Sequence, residues 1–290
     1  MPAGTHAGLA GADPGYPTHM LGRLERFRLS TSAPRPYAGF SSTCTPVRGF
    51  RMHARVGGGS SGLPVVLVHG LAVSHRYLMP TAALLGRRHP VAAPDLPGFG
   101  LSEDPGRVLG TRELADRLGE WLRATFATPV VLLGNSYGCQ VLVDLVVRDP
   151  SVAVALVLSG PTVDPGARSE TRQVLRWLAD AVREDPLQAP ILLRDVRDAG
   201  PPRVFATLRH AVEDRIEDKL PAVPVPTLVT RGGIEPIVPP HWARQAAGLL
   251  PAGRLVVLPG SPHNSVYTHA GALAAATEDF LARTVPTAPE

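Results

Sequence analysis

Short apolar runs of strand length recur along the chain: Phe50 to Val56, Leu63 to Val68, Val91 to Ala93, Val130 to Leu133, Val152 to Leu158, Thr227 to Thr230 and Leu255 to Leu258. Each ends at Gly, Pro or Asp, as buried strands do. From Leu63 onward the runs are separated by stretches whose apolar residues fall every three or four positions: Leu78 to Leu85, Thr111 to Phe126, Tyr137 to Val147, Trp242 to Leu250 and Ala270 to Ala282. That spacing gives a helix one buried face. Strands alternating with such helices predict an α/β fold, a mostly parallel sheet covered by helices on both faces. The interval 162–223 breaks the rhythm, with helix-like Glu170 to Val182 and Arg203 to Glu217, several prolines and no convincing strand. It predicts an inserted helical cap, or lid, with residues 46–161 and 224–290 forming the core. Residues 1 to about 20 are rich in Gly, Ala, Pro and Thr without periodicity. They cannot bury enough apolar surface to offset ordering entropy, so 1–45 is expected to be a mobile or loosely packed N-terminal segment.

With 290 residues, 44% of them hydrophobic, the chain can build one large core, which excludes disorder of the whole. The formal charge of +4 comes almost wholly from arginine, since Lys219 is the only lysine, and the arginines are scattered among acids. No basic stripe exists for nucleic acid to bind. Arg87-Arg88-His89 is the densest basic group and is expected to be a solvated helix end. Cys44 and Cys139 are too few for a disulfide framework, and Cys139 is expected to be a buried thiol. No early apolar run resembles a secretory signal, and no stretch is long enough to span a bilayer. These features predict a soluble, cytoplasmic protein, a monomer or homodimer, with no nucleic-acid or membrane partner.

One run carries chemistry. Val130-Val131-Leu132-Leu133-Gly134-Asn135-Ser136-Tyr137-Gly138-Cys139 drives a strand into G-x-S-x-G and then into helical spacing at Cys139, Val141, Leu142, Leu145 and Val146. A serine on so sharp a turn needs small neighbours, and the strain lifts its hydroxyl into the open. Gly58-Gly59-Ser60-Ser61-Gly62 matches the same pattern but follows no apolar strand, so it reads as a flexible loop. Ser136 is therefore the candidate nucleophile. His263 follows the last strand in a Gly/Pro loop and is the candidate base. His69, before Gly70, is expected to bond within its own turn, while His89 and His210 look helical or helix-terminal, and His6 and His19 fall in the N-terminal segment. Glu235 follows the penultimate strand and is the candidate acid, with Asp164 as the alternative. The order Ser136, Glu235, His263 is nucleophile, acid, base. The amides of Leu71 and Tyr137 are the candidate oxyanion donors. Asp95 to Gly100 reads as a tight turn rather than a substrate contact. Met79, Trp177, Leu178 and Phe205 are candidates for an apolar substrate pocket.

Taken in order, His69-Gly70, the Asp95 to Gly100 turn, the Ser136 elbow, Glu235 before Pro-Ile-Val and Pro262-His263 make the chain resemble the α/β-hydrolase fold family over about residues 45 to 284. The resemblance implies an eight-stranded, mostly parallel sheet, a lid over the site, and a serine triad that needs neither metal nor cofactor. Gly134-Asn135-Ser136 and the helical cap are similar to bacterial esterases, lactonases and carbon–carbon hydrolases. Two departures stand out: Glu235 occupies the position where an aspartate is usual, and the elbow carries a bulky Tyr137. The expected activity is hydrolysis of an ester, thioester or lactone of a small hydrophobic substrate through an acyl-enzyme. The alternatives are a carbon–carbon hydrolase or biosynthetic tailoring enzyme using the same triad, and a non-catalytic ligand-binding protein. The loop after Gly70, Leu-Ala-Val-Ser, lacks the extra glycines associated by resemblance with dienone hydrolases.

Overall fold

A computed structural model describes residues 39–285. Eight strands form one sheet: β1 (Phe40–Val47), β2 (Phe50–Gly58), β3 (Val65–Val68), β4 (Pro90–Pro94), β5 (Val130–Asn135), β6 (Ala153–Ser159), β7 (Thr227–Gly232) and β8 (Gly253–Leu258). Their spatial order is β1-β2-β4-β3-β5-β6-β7-β8. Strands from β4 to β8 pair in parallel, while β1 and β2 form an antiparallel hairpin whose second strand runs antiparallel to β4.

Among the described residues the α-helices are α1 (His75–Leu85), α2 (Thr111–Thr125), α3 (Tyr137–Arg148), α4 (Glu170–Ala181), α5 (Ala189–Ala199), α6 (Pro201–Glu213), α7 (Ile216–Lys219), α8 (Pro240–Leu249), α9 (Ser265–Thr268) and α10 (Ala270–Thr284). Alternate residues of the central strands feed two separate cores. Val66, Val68 and Leu132 join α2, α3 and α8 on one face, whereas Val65, Leu67, Val131 and Leu133 join α1 and α10 on the other. A run of consecutive buried residues is therefore what these strands need, and what they have. α3 exceeds its expected single buried face, being buried from Tyr137 through Val146. It lies between the sheet, α2 and the helices that follow β6, and the Gln140 amide donates to Ala211 O of α6 at 2.9 Å.

The differences from the sequence expectations have local causes. β1 was not anticipated, because an edge strand with most residues exposed lacks an apolar run. Residues 40–45 thus belong to the sheet rather than to a loose segment, and the remaining expectations for the N-terminal stretch, His6 and His19 included, lie outside the described residues. Between β6 and β7 there is no strand among the described residues, as expected. The stretch Arg203 to Glu217 is not one helix: α6 ends at Glu213 and α7 starts at Ile216. α5 went unread, with Pro190 in its first turn, and carries Asp195 buried among otherwise exposed or part-exposed residues. His89 is not solvated with Arg87 and Arg88; its Nδ1 meets Leu63 O at 2.8 Å and its Nε2 meets Glu278 at 3.1 Å.

Candidate functional site

In the parallel part of the sheet the chain leaves β3 toward β4 on one side and returns to β5 on the other. Crossovers diverge there and open a crevice at the carboxyl ends of the strands. Ser136 sits at that point, between β5 and α3, with φ 55° and ψ −123°. A side chain in this backbone region is strained and survives only where the surroundings hold it. Two close approaches do so: a Cβ on Gly138 would stand 2.5 Å from Val68 O, and one on Gly134 would stand 2.9 Å from the Cys139 amide. Only glycine lets the elbow nest against β3 and the start of α3. Ser136 retains 8% exposure.

His263 follows β8 and is 4% exposed. Its Nδ1 lies 2.5 Å from Glu235 Oε2. Glu235, in the loop after β7, is itself buried, and its Oε1 accepts from the Gly232 amide at 2.7 Å. The loop is braced from inside by Arg231, which donates to Glu235 O at 3.0 Å and Val238 O at 2.9 Å. The Nδ1 contact orients the imidazole from one edge, and the other bonds hold the carboxylate that makes it. The other ring nitrogen, Nε2, is buried and has no hydrogen-bond partner among the described residues. Burial opposes protonation of His263, but the Glu235 carboxylate overcomes it, with Asp180 and Glu184 adding to the effect, so the imidazole holds its proton more tightly than usual. Burial pushes the Glu235 carboxyl up, against the pull of His263, the Gly232 amide and Arg231.

Asp164 has different partners. It accepts from the Gly166 amide at 2.9 Å and from Arg176 Nη2 of α4 at 2.8 Å, and His241 lies 3.6 Å away. The geometry brings Glu235, not Asp164, to His263. The longer glutamate reaches both the Gly232 amide and the imidazole from a loop held by Arg231.

The amide of Tyr137 opens α3, so no carbonyl one turn earlier within the helix can accept from it. Leu71 follows Gly70 in the loop after β3, and a Cβ on Gly70 would stand 3.1 Å from Ser136 Cβ, which measures how closely this loop passes the serine. The Tyr137 side chain turns away from the site: it is buried in the core and its hydroxyl bonds Thr111 at 3.0 Å. The bulky elbow residue thus fills core space behind Ser136.

Two polar residues near Ser136 went unassigned in the sequence. Tyr77 OH donates to Asn135 Oδ1 at 2.7 Å and accepts from the Gly70 amide at 2.9 Å. Asn135 Nδ2 reaches Ser159 O at 3.1 Å and His263 O at 3.5 Å. One buried pair therefore ties the loop after β3, the end of β5, the end of β6 and the His263 loop together. Nothing in local spacing marks them, because every partner except Gly70 lies 24 or more positions away along the chain.

His69 bonds within its own turn, Nδ1 to Gly70 O at 2.7 Å, and its Nε2 accepts from the Leu96 amide at 2.9 Å. Asp95 is more than a turn residue. It accepts from the His75 amide at 2.7 Å, the Leu101 amide at 2.9 Å, His53 Nδ1 at 2.9 Å and His75 Nδ1 at 2.8 Å. His53, His75 and Asp95 place potential metal-ligand atoms within 4.8 Å of one another. Their hydrogen bonds already satisfy the carboxylate, and the arrangement serves as a brace joining β2, α1 and the turn after β4.

The four apolar residues expected to line a pocket do not form one wall. Met79 is packed in the core of the α1 and α10 face, Trp177 is packed against the opposite core, and Leu178 and Phe205 are 62% and 66% exposed. A helical stripe does not distinguish a residue facing a cavity from one facing the core or solvent.

Comparison with known proteins adds to this geometry. Residues 65–276 match the family model described as alpha/beta hydrolase family. The chain is 28% identical over 257 residues to 2-hydroxymuconate semialdehyde hydrolase of Pseudomonas sp. (strain CF600), covering 77% of this chain and 88% of that protein. It is 27% identical over 244 residues to pimeloyl-[acyl-carrier protein] methyl ester esterase of Neisseria meningitidis serogroup C / serotype 2a (strain ATCC 700532 / DSM 15464 / FAM18), covering 75% of this chain and 93% of that one. A thermophilic esterase from Thermogutta terrifontis shares the fold at a TM-score of 0.67 and 24% identity, covering 85% of this chain and 99% of that chain. Among the described residues, no helix is long and apolar enough to cross a membrane.

Proposed function

The chain belongs to the alpha/beta hydrolase family, and from that premise we propose that it is a serine hydrolase of carboxylic esters, thioesters or lactones, with Ser136, His263 and Glu235 as its triad. The observation that carries this reading is the His263 ring: one nitrogen 2.5 Å from a buried carboxylate, the other buried and unpartnered, in a loop whose His263 carbonyl oxygen lies 3.5 Å from the side-chain nitrogen of Asn135, the residue before the serine on its strained elbow. A buried imidazole nitrogen without a partner is costly unless a reacting group is to use it.

His263 Nε2 takes the Ser136 proton as Oγ bonds to the substrate carbonyl carbon. The carbonyl oxygen becomes an oxyanion and receives hydrogen bonds from the Leu71 and Tyr137 amides. The imidazolium is steadied by Glu235 and then gives its proton to the leaving alcohol, thiol or hydroxyl as the carbonyl re-forms. Water, deprotonated by the same His263, attacks the acyl-enzyme and releases the acid and Ser136. Asp164 is assigned to structure on the strength of its bond to Arg176.

The named similarity to 2-hydroxymuconate semialdehyde hydrolase supports a second reading, in which the same triad cleaves a carbon–carbon bond next to a ketone. A kinetic screen across aryl esters of rising chain length, lactones and vinylogous ketones separates the two. The triad itself is tested by fluorophosphonate labelling, expected on Ser136 in the wild type and absent in Ser136→Ala, with ester turnover falling by several orders of magnitude. Retained turnover in a folded Ser136→Ala variant overturns the assignment.

A further inference from the structure

The loop that carries His263 is held from two sides. On the sheet side, the Ile234 amide donates to Ser261 O at 3.1 Å and Asn135 Nδ2 reaches His263 O at 3.5 Å. On the other side lies the helical segment between β6 and β7. There Asp180 Oδ1 accepts from the His263 amide at 3.3 Å, and Glu184 Oε1 accepts from the Asn264 amide at 2.7 Å. Gln188 closes the cluster, its Oε1 accepting from Asn264 Nδ2 at 3.0 Å and its Nε2 donating to Glu184 Oε2 at 2.7 Å.

Two acids at and just past the C-terminal end of α4 are in the wrong place for that helix, whose dipole disfavours negative charge there. They also crowd each other, and burial together with the neighbouring Asp180 pushes the Glu184 carboxyl up to about 7. Packing alone has no use for this pair, since an apolar end would close the same gap without desolvating two carboxyl groups. What the pair does supply is an acceptor for each of two consecutive main-chain amides, those of His263 and Asn264. We propose that Asp180 and Glu184 are positioning residues for the base: seated on the sheet, this helical segment fixes the backbone at His263 and aims Nε2 at Ser136. The inference rests on the serine hydrolase reading above. The pair also contributes charge. The titratable groups around it are His263, Glu235 behind that ring, the Tyr77 hydroxyl of α1, and Asp195 of α5, which faces Tyr77 as well. Of these, His263 gains from the negative charge, because its imidazolium forms during proton transfer.

The test uses the whole protein and one p-nitrophenyl ester, with Glu184→Ala, Asp180→Ala and Glu184→Gln. Each alanine variant is expected to lose about 10- to 100-fold in kcat, the usual cost of small misplacement in a reacting group, with KM within about twofold. Glu184→Gln keeps an oxygen for the Asn264 amide while its NH2 meets the Gln188 Nε2 donor, so its kcat is expected to fall less than that of Glu184→Ala, by no more than about tenfold. Without the negative charge that Glu184 carries once ionised, the acid limb of its kcat/KM profile is expected to move down. This last readout survives if an alanine variant does not fold. An unmoved limb, alanine variants with wild-type kcat, a loss confined to KM, or a glutamine variant as damaged as alanine overturns the proposal. Failure of fluorophosphonate to label Ser136 in the wild type instead overturns the hydrolase reading on which it stands.

Discussion

Replacing Glu235 by glutamine probes the electrostatic centre of the site with little change of shape. In the wild type, Oε1 takes the Gly232 amide at 2.7 Å and Oε2 faces His263 Nδ1 at 2.5 Å. A glutamine keeps the first bond through its oxygen and turns an NH2 toward the ring. The imidazole then needs a lone pair on Nδ1, which moves its proton to Nε2, the atom that must accept from Ser136. Charge is lost as well. With the imidazolium and carboxylate centres about 4 Å apart and an effective dielectric constant of about 20, their attraction is about 4 kcal/mol. At 1.36 kcal/mol per decade that is about a thousandfold in rate, and the tautomer penalty extends it toward 10⁴. The expected result is a fall in kcat of about 10³ to 10⁴ with KM little changed, measured by steady-state hydrolysis of a p-nitrophenyl ester. Asp164→Asn, run beside it, is expected to stay within about tenfold of wild type, because its carboxylate bonds Arg176 rather than the imidazole. Thermal denaturation confirms that both variants are folded. A Glu235→Gln variant that loses less than about tenfold while Asp164→Asn is crippled refutes the reasoning.

Two further predictions concern pH. Because burial of His263 is outweighed by the Glu235, Asp180 and Glu184 carboxylates, its proton leaves later than from an ordinary imidazole, so the acid limb of kcat/KM is expected above the usual value of about 6.5; a limb at or below that value contradicts the site as described. For Asp95, burial opposes ionisation, but His75 and His53 overcome it and hold the carboxyl well below its ordinary range. Its contribution to stability is therefore complete above the ordinary aspartate value and fades as pH falls through the depressed one. Asp95→Asn sets an NH2 among four donors and is expected to cost about 2–4 kcal/mol near neutrality, with wild-type and variant Tm converging in strong acid; equal Tm values at pH 7 refute the bracing role.

The parallel sheet, the placement of Ser136 on a strand-to-helix turn and the strand-end positions of Glu235 and His263 could all be read from the chain. Each rests on short-range physics: apolar runs that must be buried on both faces, a 3.6-residue spacing between them, and glycines where a Cβ would strike backbone. Local pattern failed where burial was absent or one-sided. β1 is exposed along most of its length, α5 carries a proline at its second position among exposed and part-exposed residues, and Leu178 faces solvent.

The choice between Glu235 and Asp164 lay beyond the sequence, since both are acids after a strand, and only the course of the Arg231-braced loop brings one of them to the imidazole. The same holds for Tyr77 and Asn135, and for the grip of Asp180 and Glu184 on the His263 loop. Those bonds join residues 80 or more positions apart in the case of the His263 loop, and side chains so separated leave no periodic trace. Sequence order fixed which groups reach the carboxyl edge of the sheet; the packed chain alone decided which of them touch.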